Sequence, residues 1–208
     1  MNPQSRASIR RRCRAARSAL TAFEQRQHAQ RVARRFVVSG LMLCFDRFAV
    51  YAASDGELDP SPIAEHLLAA NKIVALPVVE PKRRLSFYRY RPDTRLLRNQ
   101  FNISEPDTRT ATYVPTAILD VVLLPLVAFD AAGMRLGMGG GYYDATFARR
   151  LRPLLIGLGH ECQYHAQLPH RSWDVPLDAV ITECASRGFT IRGRRFMAVN
   201  ETQQHARS

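Results

Sequence analysis

"LDVVLLPLVAF", residues 119–129, is a near-continuous apolar run. A strand with one wet face would alternate apolar and polar residues. A run without alternation belongs to a strand buried on both faces, the situation inside a parallel sheet. The run is interrupted by Pro125 and is far too short to span a bilayer. Outward from it, "FAVYAA" (48–53), "IVALPVV" (73–79), "LLIGLGH" (154–160) and "LDAVITE" (177–183) read as further buried strands, and "LSFYRY" (85–90) as a half-exposed one. Between them, residues 6–38 read as helix, with Thr21–Glu24 as a capping-box restart. "PIAEHLLAANK" (62–72) and "YYDATFARRL" (142–151) have helical patterns as well. Residues 91–117 are polar and without period. Strands alternating with helices predict an α/β fold, a single-domain, mostly parallel sheet flanked by helices. That domain is expected over 1–188, with a basic, disordered tail over 189–208.

Composition limits the function classes. Apolar content of 46% and charged content of 23% are ordinary for a globular domain and argue against wholesale disorder. Cys13, Cys44, Cys162 and Cys184 are scattered without a CxxC pair, so they read as free thiols of a reducing compartment, the cytoplasm. The net charge of +12 favours an anionic ligand. Only Lys72 and Lys82 among the 30 basic residues are lysines, a bias that arginine-rich codon usage would produce. The first 23 residues hold six arginines and no acid, as an organelle leader would. Yet Arg6, Arg10, Arg14 and Arg17 repeat at helical spacing, which favours a folded basic helix. A nucleic-acid-binding role for this helix and the tail is the competing class. No aromatic residues interleave with the arginines as a stacking platform would need.

"RLGMGGGYYD" (135–144) places four glycines within 137–141, between a buried strand and a helix. In open α/β sheets that strand end is where ligands bind, and exposed amides there suit phosphate. The loop is not a P-loop, because no Gly-Lys-Ser/Thr follows, nor a dinucleotide fingerprint, because the third position is Tyr142. A tight structural turn is the alternative. Asp144 would stabilise the first helical turn or hold Mg²⁺ beside a phosphate. In "SDGELD" (54–59), Asp55, Glu57 and Asp59 form either a solvated turn or an acceptor site for a cation or ligand N–H groups. "HECQYHAQLPH" (160–170) misses HExxH by one residue, so no helical-face metal pair is expected there. No nucleophile elbow or activated cysteine appears.

"RASIR", "SDGELD", "LLPLVAFDAAGMRLGMGGGYYD" and "LPHRSWDVPLDAVIT" occur in this order over residues 6–182. Together they resemble the 5-formyltetrahydrofolate cyclo-ligase (methenyltetrahydrofolate synthetase) family. The resemblance implies a Rossmann-like sheet of the NagB/RpiA/CoA-transferase type. It also implies ATP- and Mg²⁺-dependent cyclisation of 5-formyltetrahydrofolate to 5,10-methenyltetrahydrofolate, by a monomer or dimer without membrane or nucleic-acid partners. A regulatory folate binder without turnover is the alternative within this reading.

By position, Arg6 and Arg10 match the family's basic pair on the ATP phosphates, with arginine where lysine is usual at 6. Arg135, Leu136, Gly137, Met138, Gly139, Gly140, Gly141, Tyr142 and Tyr143 match the nucleotide loop. Arg135 is expected to face phosphate, and it and Tyr142 are the expected catalytic residues. Some relatives have a basic residue where Met138 stands. Asp144 matches the metal aspartate, and Asp174, beside Trp173, falls in a matching segment where it would join the metal or nucleotide or serve the structure. Glu57, Ala52 and Tyr142 are the expected folate contacts.

Overall fold

The computed structural model describes residues 5–148 and 152–197. The chain opens with α1 (Arg6–Ser18), α2 (Ala22–Val38) and the single turn α3 (Leu41–Cys44), then β1 (Arg47–Ala49), α4 (Ser61–Ala69), β2 (Ile73–Glu80) and β3 (Arg84–Arg89). A small ribbon of β4 (Leu96–Arg98) and β5 (Ser104–Pro106) precedes β6 (Tyr113–Val114) and β7 (Val121–Pro125). The hairpin of β8 (Ala128–Phe129) and β9 (Arg135–Leu136) leads to α5 (Tyr142–Phe147), β10 (Leu154–Leu158), β11 (Ala179–Ile181), β12 (Ser186–Gly188) and α6 (Ile191–Met197).

The main sheet has eight strands in the order β12-β11-β10-β7-β1-β2-β3-β6. The strands from β11 to β2 run parallel, and β12, β3 and β6 are antiparallel edges. The α/β reading is thus correct, with an antiparallel flank at each side. β7 lies at the centre between β10 and β1, and its apolar run divides by parity. Val121 and Leu123 pack with Phe36, Phe48 and Leu67 on the α2/α4 face. Val122 and Leu124 pack with Phe87, Phe147 and Leu177 on the other. Both faces being apolar removes the alternation.

Strand order reverses at β1. From it the chain proceeds outward to β2 and β3, then returns to β7 on the opposite side and continues through β10 and β11. The carboxyl ends of β1 and β7 therefore sit side by side at a topological switch point, where open α/β sheets bind ligands. The loop 54–59 follows β1, and the glycine loop follows β7 through the β8–β9 hairpin.

Local details refine the reading. The long N-terminal helix breaks where expected. Thr21 Oγ1 accepts from the Glu24 amide at 3.2 Å while Glu24 Oε2 accepts from the Thr21 amide at 2.8 Å, a complete capping box. The strand expected over 48–53 keeps its ladder only to Ala49, because the chain then turns up toward the site. The helix expected over 142–151 runs to Phe147, and 149–151 lie outside the described residues. Within the expected tail, Ile191–Met197 is a helix that buries Phe196 and Met197, and 198–208 lie outside the described residues. No helix among the described residues is long and apolar enough to cross a membrane.

Candidate functional site

Close approach and sharp turn divide the glycines between them. Gly139 has φ +111° and Gly141 φ +71°, so the turn itself demands residues without a Cβ. A Cβ at Gly140 would stand 2.8 Å from the Tyr142 ring, so packing excludes it there. Gly137 is different. Its φ is ordinary and a Cβ would meet nothing within 4 Å. Among the described residues, neither strain nor a steric neighbour excludes a side chain there.

Helix α1 lies against this loop. Arg10 Nε donates to the Gly137 carbonyl at 2.8 Å, and its guanidinium passes close to Gly139. Arg6 forms a two-pronged pair with Asp174, Nη1 to Oδ2 at 2.5 Å and Nη2 to Oδ1 at 3.4 Å. The Arg171 amide donates to the same Oδ2 at 2.8 Å. Burial, then the neighbouring Arg6 charge, pulls the Arg10 pKa below its usual value, with Asp174 opposing and Arg171 adding to the effect. Arg10 thus feels two other guanidinium charges and one carboxylate, an excess of positive charge that suits a polyanion. A cleft of about 550 Å³ opens here, lined by Arg10, Arg11, Arg14 and the half-exposed Met138.

Arg135, expected to face phosphate, is turned toward Asp144. Its side chain is only 5% exposed, and Nη2 donates to Asp144 Oδ1 at 3.0 Å, an oxygen that also accepts from the Val175 amide at 3.0 Å. The guanidinium stands 6.0 Å from the Tyr143 ring centroid, and its Nε is buried without a hydrogen-bond partner. Arg135 thus holds Asp144 in place. Leu136 points into the core, so only its main chain is available to a ligand. Tyr142 meets Phe101 edge-to-face, with ring centroids 6.1 Å apart. Phe101 comes from the β4–β5 ribbon, in the stretch read as irregular.

The second loop is tied largely to itself. Asp55 (φ +51°) and Gly56 (φ +72°) form a tight turn in which the Glu57 amide donates to the Ser54 carbonyl at 2.8 Å. Glu57 Oε2 accepts from the Ser54 amide at 3.2 Å. Burial raises the Glu57 pKa, while the Ser54 amide and the Arg17 charge oppose the rise. The Tyr51 and Tyr143 hydroxyls are pushed up first by burial and then by the Glu57 charge, so Tyr143 brings the glycine loop into electrostatic reach of this one. Ala52 and Glu57 both line a cleft of about 700 Å³, together with Tyr51, Tyr90 and Leu96. Tyr142 is not part of that lining. Asp59 caps α4, accepting from the Ser61 amide at 2.9 Å, which is a structural task.

Two residues went unassigned in the sequence reading. Arg14 Nε and Arg17 Nη2 both reach Asp55 Oδ2, at 2.8 and 2.6 Å. Arg17 is fully buried and also donates to the Leu126 carbonyl at 3.5 Å. Their spacing with Arg6 and Arg10 was the available signal. Helix α1 thus reaches Asp174 with Arg6, the glycine loop with Arg10, and the acidic turn with Arg14 and Arg17.

A family model, the 5-formyltetrahydrofolate cyclo-ligase family, matches residues 2–183. The 5-formyltetrahydrofolate cyclo-ligase of Escherichia coli is 40% identical over 170 residues, covering 80% of this chain and 93% of that protein. Its counterpart from Haemophilus influenzae is 41% identical over 181 residues, covering 85% and 97%. Among solved structures, the Aquifex aeolicus 5,10-methenyltetrahydrofolate synthetase superposes with a TM-score of 0.73 at 31% identity, covering 88% of this chain and 92% of that one. With its two strand-end loops bridged by one arginine helix, the chain belongs to the 5-formyltetrahydrofolate cyclo-ligase family.

Proposed function

We propose that the chain carries out the family's ring closure with ATP as phosphoryl donor, binding ATP on the glycine-loop side of α1 and 5-formyltetrahydrofolate on the acidic-turn side. The observation that carries this reading is the double use of α1: Arg10 at the glycine loop, with the Arg6–Asp174 pair beside it, and Arg14 and Arg17 at the acidic turn.

The formyl group on N5 is amide-like and a poor electrophile. Transfer of the γ-phosphoryl group to its oxygen creates a leaving group. N10 then attacks the formyl carbon, its proton passes to the departing phosphate as the C–O bond breaks, and ADP and 5,10-methenyltetrahydrofolate remain. Such chemistry needs positioning and charge neutralisation rather than a protein nucleophile. The amides flanking Gly137 and Gly139 and the guanidiniums of Arg6 and Arg10 are the groups available to the phosphates. Glu57 is the acceptor available to the pterin N–H groups, with Ala52 beside it.

A divalent cation would neutralise phosphate charge during the transfer. Asp144 fits it: Oδ1 is engaged by Arg135 and Val175, while Oδ2 has no protein partner among the described residues. Asp174 fits less well, since Arg6 engages both its oxygens. Arg6 would have to turn to a phosphate before Asp174 could serve. The free cysteines agree with work in the reducing cytoplasm.

The deciding measurement follows methenyl product by absorbance, together with ADP release, using purified protein, 5-formyltetrahydrofolate and MgATP. Equal rates of product and ADP are expected. Folate binding with no ADP release would support the regulatory binder instead, and neither signal would refute both.

A further inference from the structure

Beside the acidic turn, where His160 lies in reach of the Gly56 backbone, three side chains from distant parts of the sequence converge. His28 lies on α2, His160 just after β10 and Glu183 just after β11. The two Nδ1 atoms face each other at 2.9 Å, and His28 Nδ1 stands 3.6 Å from Glu183 Oε1. The three ligand-capable atoms lie within 4.8 Å of one another. We infer that these residues form a binding site for a transition-metal dication of the zinc class.

The geometry is nearly that of a bound site. Ligands about 2.0–2.2 Å from a tetrahedral metal stand roughly 3.2–3.6 Å apart, so small side-chain movements would seat the ion. Glu183 is already oriented, because both its oxygens accept from the Glu161 amide, at 3.2 and 3.0 Å. His160 is fully buried. His28 and Glu183 retain slight exposure, giving an entry path. Two nitrogens and one oxygen, with a fourth position left to water, suit Zn²⁺, Co²⁺ or Ni²⁺. They do not suit Mg²⁺, which prefers oxygen ligands, so this site is distinct from the one beside the nucleotide loop. His165, five residues after His160, is not in this group. The partner of His160 comes from a helix 132 residues earlier.

The site would join α2 to the two strands it packs across, so occupancy should stabilise the folded chain. The test titrates metal-stripped, full-length protein with Zn²⁺ alone, against a chromogenic chelator, without nucleotide or folate. One equivalent should bind at micromolar affinity or tighter. At a 100-fold excess over Kd, Tm should rise by about 5–10 °C. H28Q and E183Q should each weaken binding at least about tenfold while leaving turnover with MgATP unchanged. Replacing the exposed Cys44, Cys162 and Cys184 by serine should leave the equivalent intact. The inference falls if no saturable equivalent binds at micromolar zinc. It also falls if H28Q and E183Q bind like the parent while the serine variant does not.

Discussion

The glycine loop and the acidic turn leave neighbouring strands at the same sheet edge, yet they are held in opposite ways. The acidic turn is closed on itself: Ser54 and Glu57 exchange hydrogen bonds, and Asp55 is clamped by Arg14 and Arg17. The glycine loop has few ties of its own and is held from outside, by Arg10 on its carbonyl and by the Arg135–Asp144 pair at its exit. A self-closed turn presents one fixed acceptor, Glu57, which suits a rigid, planar ring with defined donors. A loop held only at its edges leaves its amides free, which suits a phosphate chain.

The strongest way to break this contrast is Arg135→Met. It removes the group that aims Asp144, and kcat should fall about 10²–10³-fold. Folate KM should stay within about threefold, since no contact in the acidic turn changes. Steady-state kinetics with each substrate varied will decide; a kcat within tenfold of the parent would remove Arg135 from the chemistry.

Next in size is Glu57→Gln. Losing a charged acceptor in a buried cleft should lower kcat/KM for the folate by about 10–100-fold, while KM for ATP stays unchanged. Comparable losses for both substrates would mean that the two loops do not divide the ligands as proposed.

Arg17→Met should act mainly on stability. Asp55 keeps Arg14 and partial exposure, so the expected loss is modest, about 1–2 kcal/mol by denaturant unfolding. Its pH dependence has a definite sign. The Arg14 hydrogen bond holds the Asp55 pKa below its usual value against burial, with Arg17 adding to the effect. A lowered carboxylate pKa contributes stability above the unfolded value, near 3.9, and loses it as pH falls through the folded value. The gap between parent and variant should thus be full at neutral pH and shrink below about pH 4. A gap independent of pH would assign Arg17 to packing alone.

These residues also mark what the sequence made legible. The central strands were readable because burial on both faces erases alternation, and α1 because its arginines repeat at helical spacing. The β4–β5 ribbon was not readable: its strands are three residues each, β4 sets the exposed Leu96 and Leu97 side by side without alternation, and Phe101 gains its meaning only by meeting Tyr142 across the fold. α6 was hidden because Arg192, Arg194 and Arg195 dominate its composition while Phe196 and Met197 bury its contacts. Arg135 lies in the glycine loop, buried against Asp144. Its charge is visible in sequence; the Asp144 and Val175 geometry that turns it inward is not.

The smallest and most discriminating change is at the glycines. Gly139→Ala must place a side chain at φ +111° and should cost about 1 kcal/mol or more of stability, whatever ligand binds. Gly137→Ala has neither strain nor a steric neighbour, so its stability should stay within about 0.5 kcal/mol of the parent. If phosphate approaches the backbone here, the added methyl group will still raise KM for ATP severalfold and leave folate KM alone. Thermal unfolding and ATP titration of the two variants, side by side, separate the turn from the ligand. A Gly137→Ala protein with unchanged KM would mean that the loop's openness serves the fold and not the nucleotide, and the contrast between the two loops would lose its chemical meaning.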